Sequence, residues 1–361
     1  MDVVDCFART YAEARQKFLA AARDAGAAVE SIRHPRLGPA GEELATDLAL
    51  LGNADADKLL IAGSGTHGVE GFCGSGAQVA MLRSGIPDEL GEDVALLLVH
   101  AQNPHGFANE RRVTEDNVDY NRNFIDFDAP LPENPDYDAL HPHLVPTAWE
   151  GPAREAADAG LKCFVDEKGA WAFQAALSLG QYNHPDGLYF GGTGPTWSRR
   201  TISGIIERYG AGRSDVGVID YHTGLGPRGF GELIVTGGAD SDNYDRARLW
   251  YGEDAKSPEA GDSVSAIVNG SLDEGYLNGL PDARVTFIAI EYGTLPPIEV
   301  LHALRADNWL YIHGDVASEQ GKTIKQQIRA AFYGEDPQWK ADIWRRAEEI
   351  ARKALYGLRA S

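Results

Sequence analysis

The apolar positions of the chain follow two different patterns. Four short segments, 58–62, 94–100, 216–221 and 284–290, are apolar at nearly every position. Such runs are typical of strands in a sheet that is covered on both faces. Residues 5–28 are instead rich in alanine with one apolar face, which predicts a helix. Alternation of the two patterns along the chain predicts an α/β protein.

The remaining segments add detail to this prediction. Residues 232–236 have the composition of a further strand, and the chain closes with two helical patterns at about 322–333 and 339–358. The segment at about 125–214 is rich in proline, turn dipeptides and aromatic residues, and it predicts an irregular insertion that shapes the substrate site. We expect one domain over residues 1–361, without internal repeats.

Polar residues with catalytic potential follow the predicted strands. His67 and Glu70 come after the first strand, 103–106 (Asn-Pro-His-Gly) after the second, His222 at the end of the third and Glu291 at the end of the fourth. In open α/β sheets, ligands bind outside the carboxyl ends of the strands. The four polar groups are therefore predicted to converge on one site.

The residue types in this set are those of a catalytic zinc site. Such sites usually take three protein ligands from histidine and carboxylate and leave a fourth position for water. His67, Glu70 and His222 supply these ligands, and Gly65 and Gly68 permit a tight backbone turn around the first pair. Zinc lowers the pKa of a bound water to about 7, so that the water can attack an acyl carbon. We expect one Zn²⁺ ion, and the sequence leaves a second metal open.

Cleavage of an amide also requires a proton carrier and a stabiliser for the developing oxyanion. Glu291, a single acid at the end of a very apolar run, is the candidate general base and acid. Arg112 is the candidate oxyanion stabiliser. Arg122, with Asn121 beside it, is interpreted as a clamp for a substrate carboxylate, and Arg111 as a further substrate-binding residue.

Charge and composition limit the partners. The 361-residue chain is 43% hydrophobic, enough for a large core, and 54 acidic residues against 33 basic ones give a net charge of −21. This charge repels phosphate backbones and anionic membranes, so neither nucleic acid nor a membrane is expected as a partner. The expected partner is a small molecule or short peptide with a carboxylate; the oligomeric state is left open.

The amino terminus and the cysteines suggest a compartment. The first residues carry acids and lack the apolar core of a secretory signal. Cys6, Cys73 and Cys163 are odd in number and widely separated, as expected for reduced thiols. We expect a soluble cytoplasmic protein. His141 and His143, in a His-Pro-His sequence, are interpreted as loop surface rather than as a second metal site.

Together these motifs resemble the zinc carboxypeptidases of the carboxypeptidase A type. The shared pattern comprises His-x-x-Glu, Asn-Pro-x-Gly-Phe, Asn-Val-Asp-Tyr-Asn-Arg-Asn-Phe, a distant Asp-x-His-Thr-Gly and a late Glu-x-Gly-Thr. More narrowly, residues 65–71, 220–226 and 305–314 resemble a bacterial branch of that superfamily catalogued as a domain of unknown function. The matching blocks cover about residues 58–124, 216–236 and 284–314.

The resemblance implies a fold and residue roles. The fold is a three-layer α/β/α sandwich around a mixed, mostly parallel sheet of about eight strands. The ligand, base, oxyanion and clamp assignments above agree with it. It further implies that Asp119 accepts a hydrogen bond from a zinc-bound histidine, and that a tyrosine lies near the substrate, with Tyr276 and Tyr244 as candidates. Residues 125–214 match no segment of the digestive enzymes of the zinc carboxypeptidase family.

The sequence is compatible with several functions. The predicted activity is amide hydrolysis of a short peptide or an N-acyl amino acid, with a desuccinylase-like or aspartoacylase-like deacylase or an esterase as alternatives. Gly63, Gly65 and Gly68 also form a G-x-G-x-x-G sequence, as in dinucleotide-binding proteins, but the next strand ends without the acid that binds ribose. A serine hydrolase is disfavoured because the chain lacks a complete G-x-S-x-G. A non-catalytic binding protein would be expected to lack one of these residues.

Overall fold

A computed structural model of the protein describes residues 2–238 and 241–361. It contains an eight-stranded mixed sheet with the strand order β1-β2-β4-β3-β5-β8-β6-β7, which confirms the predicted fold class. The strands are β1 (Ala28–Leu37), β2 (Glu43–Gly52), β3 (Lys58–Ser64), β4 (Val94–His100), β5 (Asp215–Arg228), β6 (Glu232–Ile234), β7 (Ala255–Lys256) and β8 (Arg284–Gly293).

Helices connect and cover these strands. They are α1 (Tyr11–Asp24), α2 (Gly71–Leu82), α3 (Pro104–Ala108), α4 (Pro135–Leu144), α5 (Pro152–Lys168), α6 (Ala170–Ser178), α7 (Trp197–Gly210), α8 (Asp242–Tyr251), α9 (Leu272–Gly279), α10 (Pro297–His313), α11 (Glu319–Phe332) and α12 (Pro337–Ala360). Among the described residues, no helix combines the length and apolar character needed to cross a membrane.

The centre of the sheet is parallel and its outer parts are mixed. Strands β4, β3, β5 and β8 run parallel to one another, whereas β2 pairs antiparallel with β4 and β6 antiparallel with β8. The chain leaves β3 toward β4 on one side, and β5 later pairs on the other side of β3. This change of direction opens a crevice at the carboxyl ends of the central strands, where ligands bind in open α/β sheets.

Each central strand contributes to two cores. Leu60 and Ala62 of β3 pack with α1, α2, α8 and α12 on one face of the sheet. Leu59 and Ile61 pack with α7 and α9 on the other face. Since successive side chains of a strand point to opposite faces, a strand between two helical layers must be apolar throughout. This explains the continuous apolar runs in the sequence.

The structure corrects three predictions about local structure. Residues 125–214 are not irregular, because they contain α4, α5, α6 and α7. Proline occupies the first turn of α4 and of α5, a position where it is compatible with a helix. His141 and His143 accordingly lie on α4 and not in a loop. The helix predicted at 5–28 spans only Tyr11–Asp24, since Gly26 adopts a φ of 75° after its end and β1 begins at Ala28.

Candidate metal centre

His67 and Glu70 lie on a tight turn between β3 and α2. Gly65 starts the turn with a φ of 72°, a conformation that glycine adopts without strain. Gly68 packs directly on the backbone of Gly106, where an added Cβ would lie 2.0 Å from the carbonyl carbon. The glycines of this segment are therefore required by a left-handed turn and a close backbone approach.

The structure brings His67, Glu70 and His222 together beyond the carboxyl end of β3. His222 does not end its strand, contrary to the sequence-based prediction, because β5 continues to Arg228. The Nδ1 atoms of the two histidines are 3.2 Å apart. His67 Nδ1 lies 3.0 Å from Glu70 Oε1, and His222 Nδ1 lies 3.3 Å from Glu70 Oε2. All three side chains are buried. Three electron-pair donors this close repel one another unless a proton or a cation lies between them.

A carboxylate lies behind each histidine. His222 Nε2 is 2.6 Å from Asp220 Oδ2. His67 Nε2 is 3.2 Å from Asp119 Oδ1, a close contact without good hydrogen-bond direction. Carboxylates in this position orient imidazole ligands and fix which nitrogen faces the metal. Asp119 thus lies behind His67, the place that the resemblance implies, and Asp220 takes the same position behind the second histidine.

Ionisation at the centre reflects an excess of buried negative charge. Burial alone would lower the pKa of His222, but the carboxylates of Asp220 and Glu70 raise it well above its usual value. Burial opposes ionisation of Glu70, yet the charge of His67 and hydrogen bonds from both histidines lower its pKa. The buried carboxylates of the cluster therefore favour a positive charge beside them.

Glu291 lies beside His222 on the neighbouring strand. The two residues are register partners in the parallel pair β5 and β8, so their side chains leave the same face of the sheet. The backbone amide of Leu225 donates to Glu291 Oε1 at 2.9 Å. Burial, and next the negative charge of Glu70, raise the pKa of Glu291 to about 8. A carboxyl group with this pKa can both take up and release a proton near neutral pH.

Arg112 reaches the same cluster. Its Nη1 donates to Glu70 Oε1 at 3.1 Å and its Nε to Asp119 Oδ2 at 2.9 Å. Burial disfavours the charged guanidinium, but Asp119 and Glu70 raise the pKa of Arg112 above its usual value. The side chain remains a cation beside the three candidate ligands.

The two other predicted arginines differ in their surroundings. Arg122 is buried and donates to the carbonyl oxygens of Ser178 (2.9 Å) and Asn121 (2.7 Å), and within the described ranges it forms no salt bridge. Burial lowers its pKa. Asn121 accepts a hydrogen bond from the amide of Leu272 through Oδ1, so its side chain anchors α9.

Arg111 has structural partners instead. Its Nε donates to Asp307 at 3.0 Å, its Nη2 to Asn117 at 2.9 Å, and its guanidinium lies 3.9 Å from the ring centroid of Tyr311. These contacts account for its charge without a substrate. The sequence-based assignment of Arg111 to substrate binding therefore receives no support from its contacts.

Sequence reasoning did not identify Tyr189. Its ring lies 5.1 Å from the guanidinium carbon of Arg112 and 5.5 Å from that of Arg122. The two tyrosines suggested by the sequence lie elsewhere. Tyr276, on α9, is buried in the core on one face of the sheet, and Tyr244, on α8, packs against the core on the other face. No motif surrounds Tyr189, so its position depends on the tertiary structure.

The network behind His222 was also missed. Besides His222, Asp220 contacts Thr66 Oγ1 at 2.8 Å and accepts a hydrogen bond from Gln102 Nε2 at 2.9 Å. The sequence does contain a hint, because residues two apart on a strand point to the same face. Asp220 and His222 are such a pair.

The same region disfavours the dinucleotide interpretation. A Cβ on Gly63 would lie 2.4 Å from Gln102 Nε2, and Gly68 faces the Gly106 backbone. The space beside these glycines is thus filled by other parts of the protein, the Gln102 side chain and the Gly106 backbone. A pyrophosphate would need that space.

The donor set fits a zinc ion. Zinc bonds of about 2.0–2.2 Å in a tetrahedron place neighbouring ligand atoms about 3.4 Å apart. The three distances within the cluster, 3.0, 3.2 and 3.3 Å, are close to this value. His67, Glu70 and His222 form one of two groups of potential metal ligands within the described residues, and each of the three is buried. The fold and site together define an α/β protein with a candidate His-Glu-His metal centre.

The chain belongs to the family described as "Protein of unknown function (DUF2817)", whose profile matches residues 7–346. This match confirms the predicted branch. No curated protein matches the sequence at a significant level.

Solved structures with similar folds include carboxypeptidase A from Helicoverpa armigera, with 12% identity and a TM-score of 0.44 over 90% of this chain and 74% of that protein. Thrombin activatable fibrinolysis inhibitor has 12% identity and a TM-score of 0.47 over 95% and 74%. An aspartoacylase family protein from Mesorhizobium loti has 16% identity and a TM-score of 0.38 over 81% and 68%. Likenesses at this level assign no activity to the chain.

Proposed function

We propose that the protein is a zinc-dependent hydrolase that cleaves an amide bond in a small substrate bearing a carboxylate. The observation that carries the proposal is the buried charge at the centre. Glu70, Asp119, Asp220 and Glu291 are all nearly inaccessible to solvent. Their carboxylates outnumber the nearby guanidinium groups, and buried charges in proteins are paired or coordinate metals. A dication at His67, Glu70 and His222 would offset this negative charge.

Zinc held by these three side chains would polarise a substrate carbonyl and lower the pKa of a water molecule to about 7. Glu291 is the residue that moves the proton. In its ionised form it accepts a proton from water, and in its neutral form it returns that proton to the leaving nitrogen. Its raised pKa makes the second step accessible near neutral pH.

The two arginines act on opposite ends of the substrate. Arg112, a cation next to the candidate ligands, stabilises the negative oxygen that develops during attack. Arg122 is held by backbone carbonyls and lacks an acidic partner among the residues that the structure describes. A buried guanidinium of this kind is suited to a substrate carboxylate. Short peptides and N-acyl amino acids both present such a group beside an amide.

The test is a hydrolysis screen over dipeptides and N-acyl amino acids, with the protein before chelation, after chelation and after return of zinc. We expect turnover of at least one substrate that disappears on chelation and returns with zinc. The Glu291→Gln variant should bind zinc as the wild type does but lose roughly 10²–10⁴-fold in kcat, since it cannot transfer the proton. Full turnover by the zinc-free protein would contradict the proposal, and near-normal turnover by Glu291→Gln would identify Glu291 as the wrong base.

A further inference from the structure

A second cluster of potential metal ligands lies between α4 and the loop 181–190. Helix α4 contributes Asp138 and His141, and the loop contributes His184 and Asp186. His141, His184 and Asp186 each place a ligand atom within 4.8 Å of the other two. The two imidazole rings are stacked, with centroids 3.9 Å apart.

A carboxylate accompanies each histidine of this cluster. His141 Nε2 lies 3.4 Å from Asp186 Oδ1, and His184 Nε2 lies 2.9 Å from Asp138 Oδ1. The first distance equals the spacing of about 3.4 Å between neighbouring ligand atoms around tetrahedral zinc. The four residues supply the nitrogen and oxygen donors that Zn²⁺ and similar transition dications prefer.

Hydrogen bonds within the protein leave part of this cluster unsatisfied. His141 Nδ1 is buried without a hydrogen-bond partner, which costs free energy in a native structure. An imidazole held between a neighbouring ring and a carboxylate can turn to present either nitrogen. Asp186 and Asp138 are about half exposed, so their carboxylates can move by the small distances that coordination requires.

We propose that His141, His184 and Asp186, with Asp138, form a second binding site for a transition-metal dication such as Zn²⁺. The site is separate in its residues from the His67, Glu70 and His222 cluster, and the proposal does not depend on hydrolase activity. It revises the sequence-based interpretation of His141 as surface without a role in metal binding.

Metal binding at this site would fix the loop to helix α4. The loop is already held by side-chain amides: Asn117 donates to the carbonyl oxygens of Pro185 and Gly187, and Asn308 donates to that of Asp186. Tyr189, which lies against Arg112 and Arg122, belongs to the same loop. Occupancy of the second site would therefore stabilise the segment that places Tyr189 beside the candidate centre.

The test measures zinc binding to chelated protein in a His222→Ala background, in which the first cluster lacks a ligand. We expect this protein to bind one equivalent of zinc, and the additional substitution His184→Ala to abolish binding. His143→Ala is the matched control, because His143 also lies on α4 but is not in the cluster. It should leave one equivalent bound.

Asp186→Asn serves as a second variant, since an exposed carboxylate can be replaced without disturbing the core. We expect it to weaken zinc binding at least about tenfold. Absence of zinc binding by the His222→Ala protein would overturn the proposal. Undiminished binding after both His184→Ala and Asp186→Asn would overturn it as well. Either result can occur whether or not the wild type is a hydrolase.

Discussion

His222 is positioned by a carboxylate two residues before it on the same strand. Asp220 contacts His222 Nε2 and is itself held by Thr66 and Gln102, while Tyr120 donates to Gln102 at 3.3 Å. With Nε2 engaged, Nδ1 is the nitrogen that faces Glu70. Asp220 is therefore a candidate positioning residue: it holds the orientation of the candidate ligand His222 from behind the ring.

This position leads to a prediction for Asp220→Asn. An asparagine fills the same space but is a weaker acceptor, and it can present an N–H that favours the wrong tautomer of His222. Zinc affinity at the candidate centre should fall roughly 10–100-fold while the fold is retained. Competition with a chelator of known affinity measures the zinc affinity, and circular dichroism checks that the fold is retained.

Asp215→Asn is the matched control for this substitution. Asp215 is also buried on β5, but at its opposite end, where it pairs with Arg284. Its replacement should alter stability and leave zinc affinity unchanged. Equal loss of affinity in both variants would show that Asp220 acts only through the integrity of the strand.

The sequence located the candidate metal ligands better than it located the residues that contact and support them. His67 and Glu70 follow β3, and His222 and Glu291 lie where the apolar runs of β5 and β8 end, so all four could be located from apolar runs. Tyr189 reaches the arginines from a distant loop, with a φ of 53° that only the folded structure maintains. Such a position cannot be inferred from local pattern.

Helices α10 and α11 hold the arginine-rich segment that follows α3. Asp307 on α10 receives Arg111 at 3.0 Å and Lys325 of α11 at 2.6 Å, and it is almost completely buried. Burial alone would raise the pKa of Asp307, but the charges of Lys325 and Arg111 lower it. The position of Arg112 thus depends on an ion pair made by its neighbour.

The lowered pKa predicts a pH-dependent contribution to stability. A carboxyl group whose pKa is lower in the folded state than in the unfolded state, where it is about 3.9, stabilises the fold above that value. The stabilisation is lost as the pH falls through the folded-state pKa. Asp307→Asn should therefore lower the free energy of unfolding by about 3 kcal/mol at pH 7, because it leaves the buried Arg111 without its acidic partner.

Urea unfolding at a series of pH values measures this effect. The difference between wild type and Asp307→Asn should shrink as the pH falls below about 4. Asp342→Asn, in a more exposed pair with Arg345, is the control and should change stability by less than about 1 kcal/mol. A difference for Asp307→Asn that is constant with pH would show that packing, not charge, accounts for its effect.

The sequence did not predict strands β1 and β2 or the helices of residues 125–214. Strands β1 and β2 lie at one edge of the sheet, where polar residues are tolerated: β1 is largely exposed, and β2 buries Asp47 against Arg15 of α1. Neither gives a continuous apolar run. Helices α4 and α5 each begin with proline, and α6 follows Gly169, so turn residues separate the helical segments in this part of the sequence. Strands β3, β4, β5 and β8 were predictable because both of their faces are buried.

At the scale of the whole molecule, the site exists only in the folded chain. His67 and His222 are 155 residues apart in sequence. The parallel pairing of β3, β5 and β8 brings them and Glu291 together on the carboxyl-terminal side of the central strands. Metal that binds only the folded state adds to its stability. The acidic surface charge and the buried carboxylates both favour association with a cation.

Elemental analysis of the wild type and of His222→Ala, after exposure to zinc and removal of excess, measures whether His67, Glu70 and His222 bind a metal ion. His302→Ala, on helix α10, is the control because His302 lies outside both clusters of potential ligands. We expect His222→Ala to contain one equivalent of zinc per chain less than the wild type, and His302→Ala to contain as much as the wild type. Equal zinc content in all three proteins would show that His222 is not a metal ligand.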